Sequence, residues 1–439
     1  MLLSLWAVSV AFGRKRIQKG RTRQERFLIL ILATGLFRTG GMGLAGLDLA
    51  ALRLGVWLLL ILWVLLTDKS FAFKKLPLPI LLYSLFLLWA LGELIRAPDL
   101  FYGLRVYNKL LYPFTVLLLG YVVGRQGTSL QRFWKPIIIT SFIIFLFVGG
   151  FTERFFPFIT YAFSGLFWNR AAVADHAAVM GGICLAFAVA YGWQHNRYLY
   201  LSLWFWMSSF FVINRTGILG LFGGLAGFVF GRYQAKSLPY IVCLFMVGLA
   251  IFLYSDILRQ NLFIDSNSVD PGYFMRNPMQ IDLNNIDSSG RFKLWEIVLD
   301  EFFWPDPLIG SGLGSTQYWL YTSGFFRIQV EHSTYVRLLS DTGLIGFSLY
   351  VSSLLSFLFI VIMPTNKDKD QDKLFAQYAT CGAVGAIICC MGFDNILNYQ
   401  LVANQYPFAI GGIYLGLRDG KIPLVKNKPK KWPWAQCLP

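Results

Sequence analysis

Residues 333–363 read STYVRLLSDTGLIGFSLYVSSLLSFLFIVIM, an almost unbroken apolar run after its first nine residues. As a helix its 31 residues extend about 46 Å at roughly 1.5 Å per residue. That length exceeds a bilayer core of about 30 Å, so the run predicts a membrane span whose first turns project to one interface. The rest of the chain agrees with it. Of 439 residues, 56% are apolar and 17% aromatic, and only 14% are charged, where a soluble domain carries about 25%. Mean hydropathy is +0.55. The composition excludes a water-soluble domain and predicts an all-α polytopic membrane protein.

Along the whole chain, apolar stretches long enough to cross begin near residues 27, 49, 77, 105, 134, 171, 198, 215, 238, 334, 374 and 398, which predicts about 12 transmembrane helices. The first is interrupted by Arg38-Thr39-Gly40-Gly41-Met42-Gly43, so with its successor it forms a pair that is bent or partly re-entrant. The formal charge of +16 comes from 39 Lys+Arg against 23 Asp+Glu. These basic residues fall in short clusters between apolar runs, which is how orientation in a bilayer is encoded, and nucleic-acid binding is set aside. With the N-terminus inside, the inner segments hold 25 Lys+Arg and the outer ones 14, although the outside carries the longest loop. Both termini are therefore expected in the cytoplasm. The resulting organisation is a basic cytoplasmic N-terminus (1–26), helices 1–9 (27–255), an outer loop (256–333), helices 10–12 (334–417) and a basic cytoplasmic tail (418–439). The run Leu2 to Phe12 is too short to span and precedes its basic cluster, unlike a signal peptide. Five of the six cysteines, Cys184, Cys243, Cys381, Cys389 and Cys390, lie in apolar runs, and Cys437 lies in the tail. None has metal-site or disulfide-framework spacing, so they read as small packing residues.

The outer loop is rich in Asp, Asn and Ser up to Asp287, then turns amphipathic. Leu294, Trp295, Val298, Leu299, Phe302 and Phe303 share one helical face while Lys293, Glu296 and Asp300 share another, the pattern of a helix lying on the membrane surface. The following Pro305-Asp306-Pro307-Leu308-Ile309-Gly310-Ser311-Gly312-Leu313-Gly314-Ser315 reads as a glycine-rich loop. No Lys follows as in a Walker A loop, so nucleotide binding has little support.

Charges in or beside spans are costly and suggest function. Here Asp48, Arg53, Glu93, Arg96, Arg105, Lys109, Arg170, Asp175, His176, Arg215, Arg337, Asp341 and Asp394 all fall near predicted outer helix ends. The excess of Arg in this outward-opening set implies an anionic guest, since the guanidinium fork matches phosphate oxygens. Arg215 begins a span and Arg291 begins the amphipathic helix, where free N–H groups and the helix dipole also favour an anion. The alternative is that both snorkel to lipid headgroups. His332, one of only three histidines, stands at the start of the 333–363 run, where the dipole favours the neutral ring that a general base needs. The alternative is a satisfied loop histidine. Arg337 and Asp341, spaced i, i+4, are placed to pair.

Four segments, Asn214-Arg215-Thr216-Gly217, Ser289-Gly290-Arg291 through Trp295, Pro307 through Ser315, and His332 through Gly346, together resemble the bacterial O-antigen ligase and O-antigen polymerase superfamily. The motifs cover roughly residues 165–350. Two departures touch the acceptor side: Ser333 follows the His where Asn is common, and Asp341 stands where Glu is usual. The resemblance implies glycan transfer from a polyprenyl-diphosphate carrier to an acceptor hydroxyl on the outer, periplasmic face of the cytoplasmic membrane. It assigns the diphosphate to Arg215 and Arg291 and the acceptor proton to His332, with inversion. Arg170 and Arg337 are possible additional contacts. No cofactor is expected, and with Asp265, Asp270, Asp282 and Asp287 scattered along a polar loop, no metal either. Expected partners are the lipid-linked glycan, an acceptor glycan or lipid, and membrane lipids. Ligase, polymerase and protein glycan transferase all stay open. So does a transporter or flippase for a lipid-linked or anionic polysaccharide, although such proteins usually bind at the midplane in broken helices of matching repeats and no internal repeat is evident.

Overall fold

A computed structural model describes residues 22–37, 43–44, 47–67, 76–163, 170–192, 196–211, 214–254, 290–323, 332–362 and 370–420. The interrupting residues 38–42, the acidic part of the outer loop, Glu331, His195 and Cys437 lie outside them. Among the described residues the helices are, in order, α1 (Arg23–Ala33), α2 (Leu49–Thr67), α3 (Leu78–Gly92), α4 (Leu100–Arg125), α5 (Leu130–Val148), α6 (Gly150–Phe155), α7 (Pro157–Phe163), α8 (Arg170–Tyr191), α9 (Asn196–Phe211), α10 (Arg215–Tyr233), α11 (Leu238–Tyr254), α12 (Arg291–Phe302), α13 (Ser315–Thr322), α14 (Thr334–Ile362), α15 (Gln371–Phe393) and α16 (Gln405–Asp419). A two-residue antiparallel pair, β1 (Gly43–Leu44) with β2 (Leu47–Asp48), joins α1 to α2. The protein is a polytopic α-helical membrane protein.

Helices occupy the predicted span positions, and seven segments are long and apolar enough to cross a membrane. Twelve spans is a larger number than this supports. The 11 residues of α1 reach only about 16 Å, and Arg215–Ala250 is two helices, α10 folding back on α11 after Gln234 so that Gly248 lies against Phe222.

Between apolar helices in lipid, association depends on close van der Waals packing and small interfacial residues. The α10–α15 pair shows why this sequence packs so. A Cβ on Gly223 would stand 2.5 Å from the Gly385 carbonyl, and one on Gly220 would stand 2.5 Å from the Cys390 Sγ. Only glycine lets the two backbones approach this closely. Cys381 and Cys390 are buried in this seam and Cys184 is buried in α8, as small packing residues should be; Cys243 is exposed on α11 and does not pack.

These contacts also fix direction. Ala174 of α8 meets Gly217 of α10, and Ala178 meets Gly220, so the two helices run parallel. Helix α15 runs against them, with Cys390 near Gly220 and Cys381 near Gly227. The starts of α8 and α10 and the end of α15 therefore share one end of the bundle. The start of α14 joins them, because the Tyr335 hydroxyl donates to Ile388 O at 2.6 Å and Thr334 N to Asp394 O at 3.1 Å.

The structure corrects the continuous 31-residue helix expected from residue 333. Gly343 has φ 63 and ψ −172, a break inside α14. Its physical cause is the glycine-rich loop, whose carbonyls replace those of the preceding helical turn. Pro307 O accepts from Leu344 N at 2.9 Å and Leu308 O from Ile345 N at 3.2 Å, while Ser311 N donates to Ser340 O at 2.9 Å. A non-glycine residue would be strained at this φ. The 19 residues from Leu344 to Ile362 then measure about 28 Å, close to the bilayer core, and Thr334–Thr342 is a separate short helix at the same end as the loop.

The amphipathic stretch does form α12, but its apolar face meets protein. Leu294 and Val298, 1% and 0% exposed, cluster with Leu320 of α13 and Val336 of α14, and Trp295, Leu299 and Phe302 pack around them. The expected surface helix is thus tied to the start of α14.

Candidate active site

The C-terminal end of α15 gathers two of the residues singled out in the sequence. After Phe393 the backbone leaves helical geometry at Asp394 (φ −144, ψ 158), which frees carbonyls that the last turn of a helix cannot satisfy internally. Arg291, the first residue of α12, donates from Nη1 to Phe393 O at 2.9 Å. Asp394 O accepts from the N and the Oγ1 of Thr334, both at 3.1 Å, and Thr334 Oγ1 in turn accepts from Ile396 N at 2.9 Å. The first turn of α14 is thereby fastened to the end of α15.

His332 stands just outside that first turn, in the left-handed region (φ 52). Ser333 caps the helix, its Oγ accepting from Val336 N at 3.4 Å. His332 Nδ1 lies 3.9 Å from Asp394 Oδ1, with the imidazole 31% exposed and the carboxylate 4% exposed. Asp394 Oδ1 also accepts from Asn395 N at 2.7 Å. A guanidinium, an accessible imidazole and a buried carboxylate thus converge on the Phe393–Asp394 terminus. Sequence reasoning placed Asp394 among the outer charges but gave it no partner.

Arg215 begins α10 beneath an Asn214 cap, whose Oδ1 accepts from Gly217 N at 2.8 Å. The next residue, Thr216, accepts from the Cys390 thiol at 3.6 Å, so Arg215 starts its helix one turn of α15 below Asp394. Arg170 begins the parallel helix α8 at the same end, paired with Glu153 at 3.6 Å and half exposed.

Arg337 goes elsewhere. Its side chain is 1% exposed, with Nη2 donating to Gln317 Oε1 at 2.7 Å and Nε 3.6 Å from Asp341 Oδ2. The i, i+4 pair expected from sequence is present, yet it is built into the loop scaffold. Asp341 also accepts from Gly314 N at 3.0 Å, Thr316 N at 3.2 Å and Thr316 Oγ1 at 2.9 Å, capping α13 with a fully buried carboxylate. The glycine-rich loop is fixed from its other side by Leu313 N donating to Glu93 O at 3.2 Å and by Arg96, whose guanidinium lies 3.2 Å from Asp306 and 3.1 Å from Glu93.

Below the Asp394 terminus lies a polar group that sequence reasoning named only as part of the outer set. Asp175 of α8 is 0% exposed, beside the Cys390 thiol and within electrostatic reach of Asp394. Neighbouring His176, also fully buried, donates from Nδ1 to Val402 O at 2.8 Å. That carbonyl is offered by an irregular approach to α16, a 3-10 turn over Ile396–Tyr399 and a π turn over Gln400–Asn404. Among the described residues, no three His, Cys, Asp or Glu are grouped as metal ligands, and Asp265, Asp270, Asp282 and Asp287 lie outside these residues.

Comparison with known protein families adds one finding. Residues 200–351 match the family model described as O-antigen ligase, a stretch that contains Arg215, Arg291, His332 and Arg337 while Arg170 and Asp394 fall outside it. No curated protein matches the chain.

Proposed function

We propose that this chain, whose residues 200–351 match the O-antigen ligase family model, moves a glycan from a polyprenyl-diphosphate carrier to an acceptor hydroxyl at the outer face of the cytoplasmic membrane. The observation that carries this reading is the convergence of Arg291 and His332 on the end of α15, with Arg215 starting its helix at the same end. Guanidinium groups at helix starts suit a diphosphate by charge and by fork geometry, reinforced by free N–H groups. In the proposed step, the acceptor oxygen forms a bond to the anomeric carbon as its proton passes to His332. The bond from that carbon to the phosphate oxygen breaks, and the leaving polyprenyl diphosphate keeps the electron pair. Arg215 and Arg291 stabilise the charge that grows on it, as preorganised cations do. A single displacement of this kind inverts the anomeric centre and uses no metal. The outer location follows from the short-loop charge bias, and on this topology the shared bundle end faces outward.

The transporter reading draws on one observation, the irregular backbone over Ile396–Asn404 beside buried Asp175 and His176, since transporters bind where helices are interrupted. One variant separates the two. In membranes carrying the lipid-linked glycan, His332→Ala should stop its consumption; consumption at the wild-type rate contradicts glycan transfer and leaves the transporter reading.

A further inference from the structure

We infer that Asp394 is the positioning residue for His332: its buried carboxylate draws the imidazole Nδ1–H toward itself and leaves Nε2 as the atom that receives the acceptor proton. The inference rests on the glycan-transfer reading for its role, while the geometry it uses stands by itself. Asp394 Oδ1 is the acidic oxygen 3.9 Å from Nδ1, an ion-pair approach that is longer than a hydrogen bond. Such contacts are commonly loose without substrate and tighten in the reacting complex.

Three features make Asp394 an anchor in place of a chance neighbour. Its main chain leaves the helix at this residue, and Asn395 N fixes Oδ1 at 2.7 Å. Its carbonyl is held by Thr334, two residues after His332, so the carboxylate and the ring ride on one clasp. The residue before it receives Arg291, which sets the spacing between the proposed donor clamp and the base through a single helix terminus. The groups facing this carboxylate are His332, Asp175 of α8 and the Cys390 thiol, with the Arg291 guanidinium one residue away. When His332 takes the acceptor proton, the imidazolium forms beside the Asp394 carboxylate, as in other carboxylate–histidine pairs; the proton then passes from Nε2 to solvent.

The chain has only three histidines, so nitrogen-15 labelling of imidazoles reads the pair directly in the full protein in lipid nanodiscs. His332→Gln assigns the signal. At alkaline pH His332 in the wild type should be the Nδ1–H tautomer, and Asp394→Ala should move it to the Nε2–H tautomer preferred by free imidazole. The signal of His176, held by Val402 O, should stay in place in a folded variant; if it moves, Asp394→Asn, closer in shape, gives the same comparison. Transfer should fall about 10²- to 10⁴-fold with Asp394→Ala, the range of a general-base contribution. The same tautomer in wild type and variant overturns the inference, as does unchanged transfer by the variant. If wild-type protein transfers no glycan at all, the functional reading fails, and the tautomer comparison still decides whether Asp394 orients the ring.

Discussion

Asp341→Ala removes the carboxylate that joins the glycine-rich loop to α14, and the structure sets its cost. Three donors lose their acceptor: Gly314 N, Thr316 N and Thr316 Oγ1. Arg337, 1% exposed, keeps its charge without the carboxylate 3.6 Å away. Breaking a buried pair on one side costs about 3–5 kcal/mol. At about 1.4 kcal/mol per tenfold change, the loop and α13 should open roughly 150- to 4,000-fold more often. Hydrogen exchange of the peptide covering Leu313–Thr322, followed by mass spectrometry in nanodiscs, reads this opening directly. Adding Arg337→Met removes the stranded charge, so the double variant should recover about 1–3 kcal/mol of the loss, a coupling within the range measured for contacting residues. Exchange at the wild-type rate in Asp341→Ala, or strict additivity in the double variant, would refute the claim that this pair holds the loop.

Gly343→Ala should lower the melting temperature through a cost of about 1–3 kcal/mol, because its φ of 63 is left-handed and the new Cβ would stand 2.5 Å from Ile309 N. Gly223→Val should destabilise the α10–α15 seam by about 1–3 kcal/mol, whereas Gly55→Ala, where a Cβ meets nothing within 4 Å, should hold or raise thermal stability; equal melting temperatures for the two variants would contradict the seam. Lys293 and Glu296 pair at 2.8 Å on the exposed side of α12, and the carboxylate raises the Lys293 pKa through that hydrogen bond. This pair lies in solvent, so Lys293→Ala should leave both melting and transfer unchanged.

Local signals in the sequence account for the helices but not for their meetings. The apolar runs placed α2 through α5 and α8 through α11, because a bilayer demands length and apolarity that composition displays. The i, i+4 spacing of Arg337 and Asp341 showed their pairing, yet the binding of Gly314 and Thr316 to Asp341 depends on where the loop returns in space. The break at Gly343 was hidden for the same reason: Gly-Leu-Ile-Gly reads as helix until the Pro307 and Leu308 carbonyls supply acceptors from another segment. Periodicity revealed the apolar face of α12 but not its cover, Leu320 and Val336, which are protein where lipid was expected. At the site, charge economy pointed to Arg215, Arg291 and His332. The role of Asp394 emerged only once α15 ended beside α14, since nothing local links its carboxylate to the imidazole.

The most direct measurement is polyprenyl-diphosphate release by purified protein in vesicles supplied with lipid-linked glycan and acceptor, comparing wild type with Arg215→Ala, Arg291→Ala and His332→Ala. Loss of either arginine should slow release about 10²- to 10³-fold, the usual effect of removing one preorganised stabilising group, and loss of His332 about 10²- to 10⁴-fold, the range of a general base, with all three variants retaining wild-type melting. Wild-type rates in these variants would contradict the account.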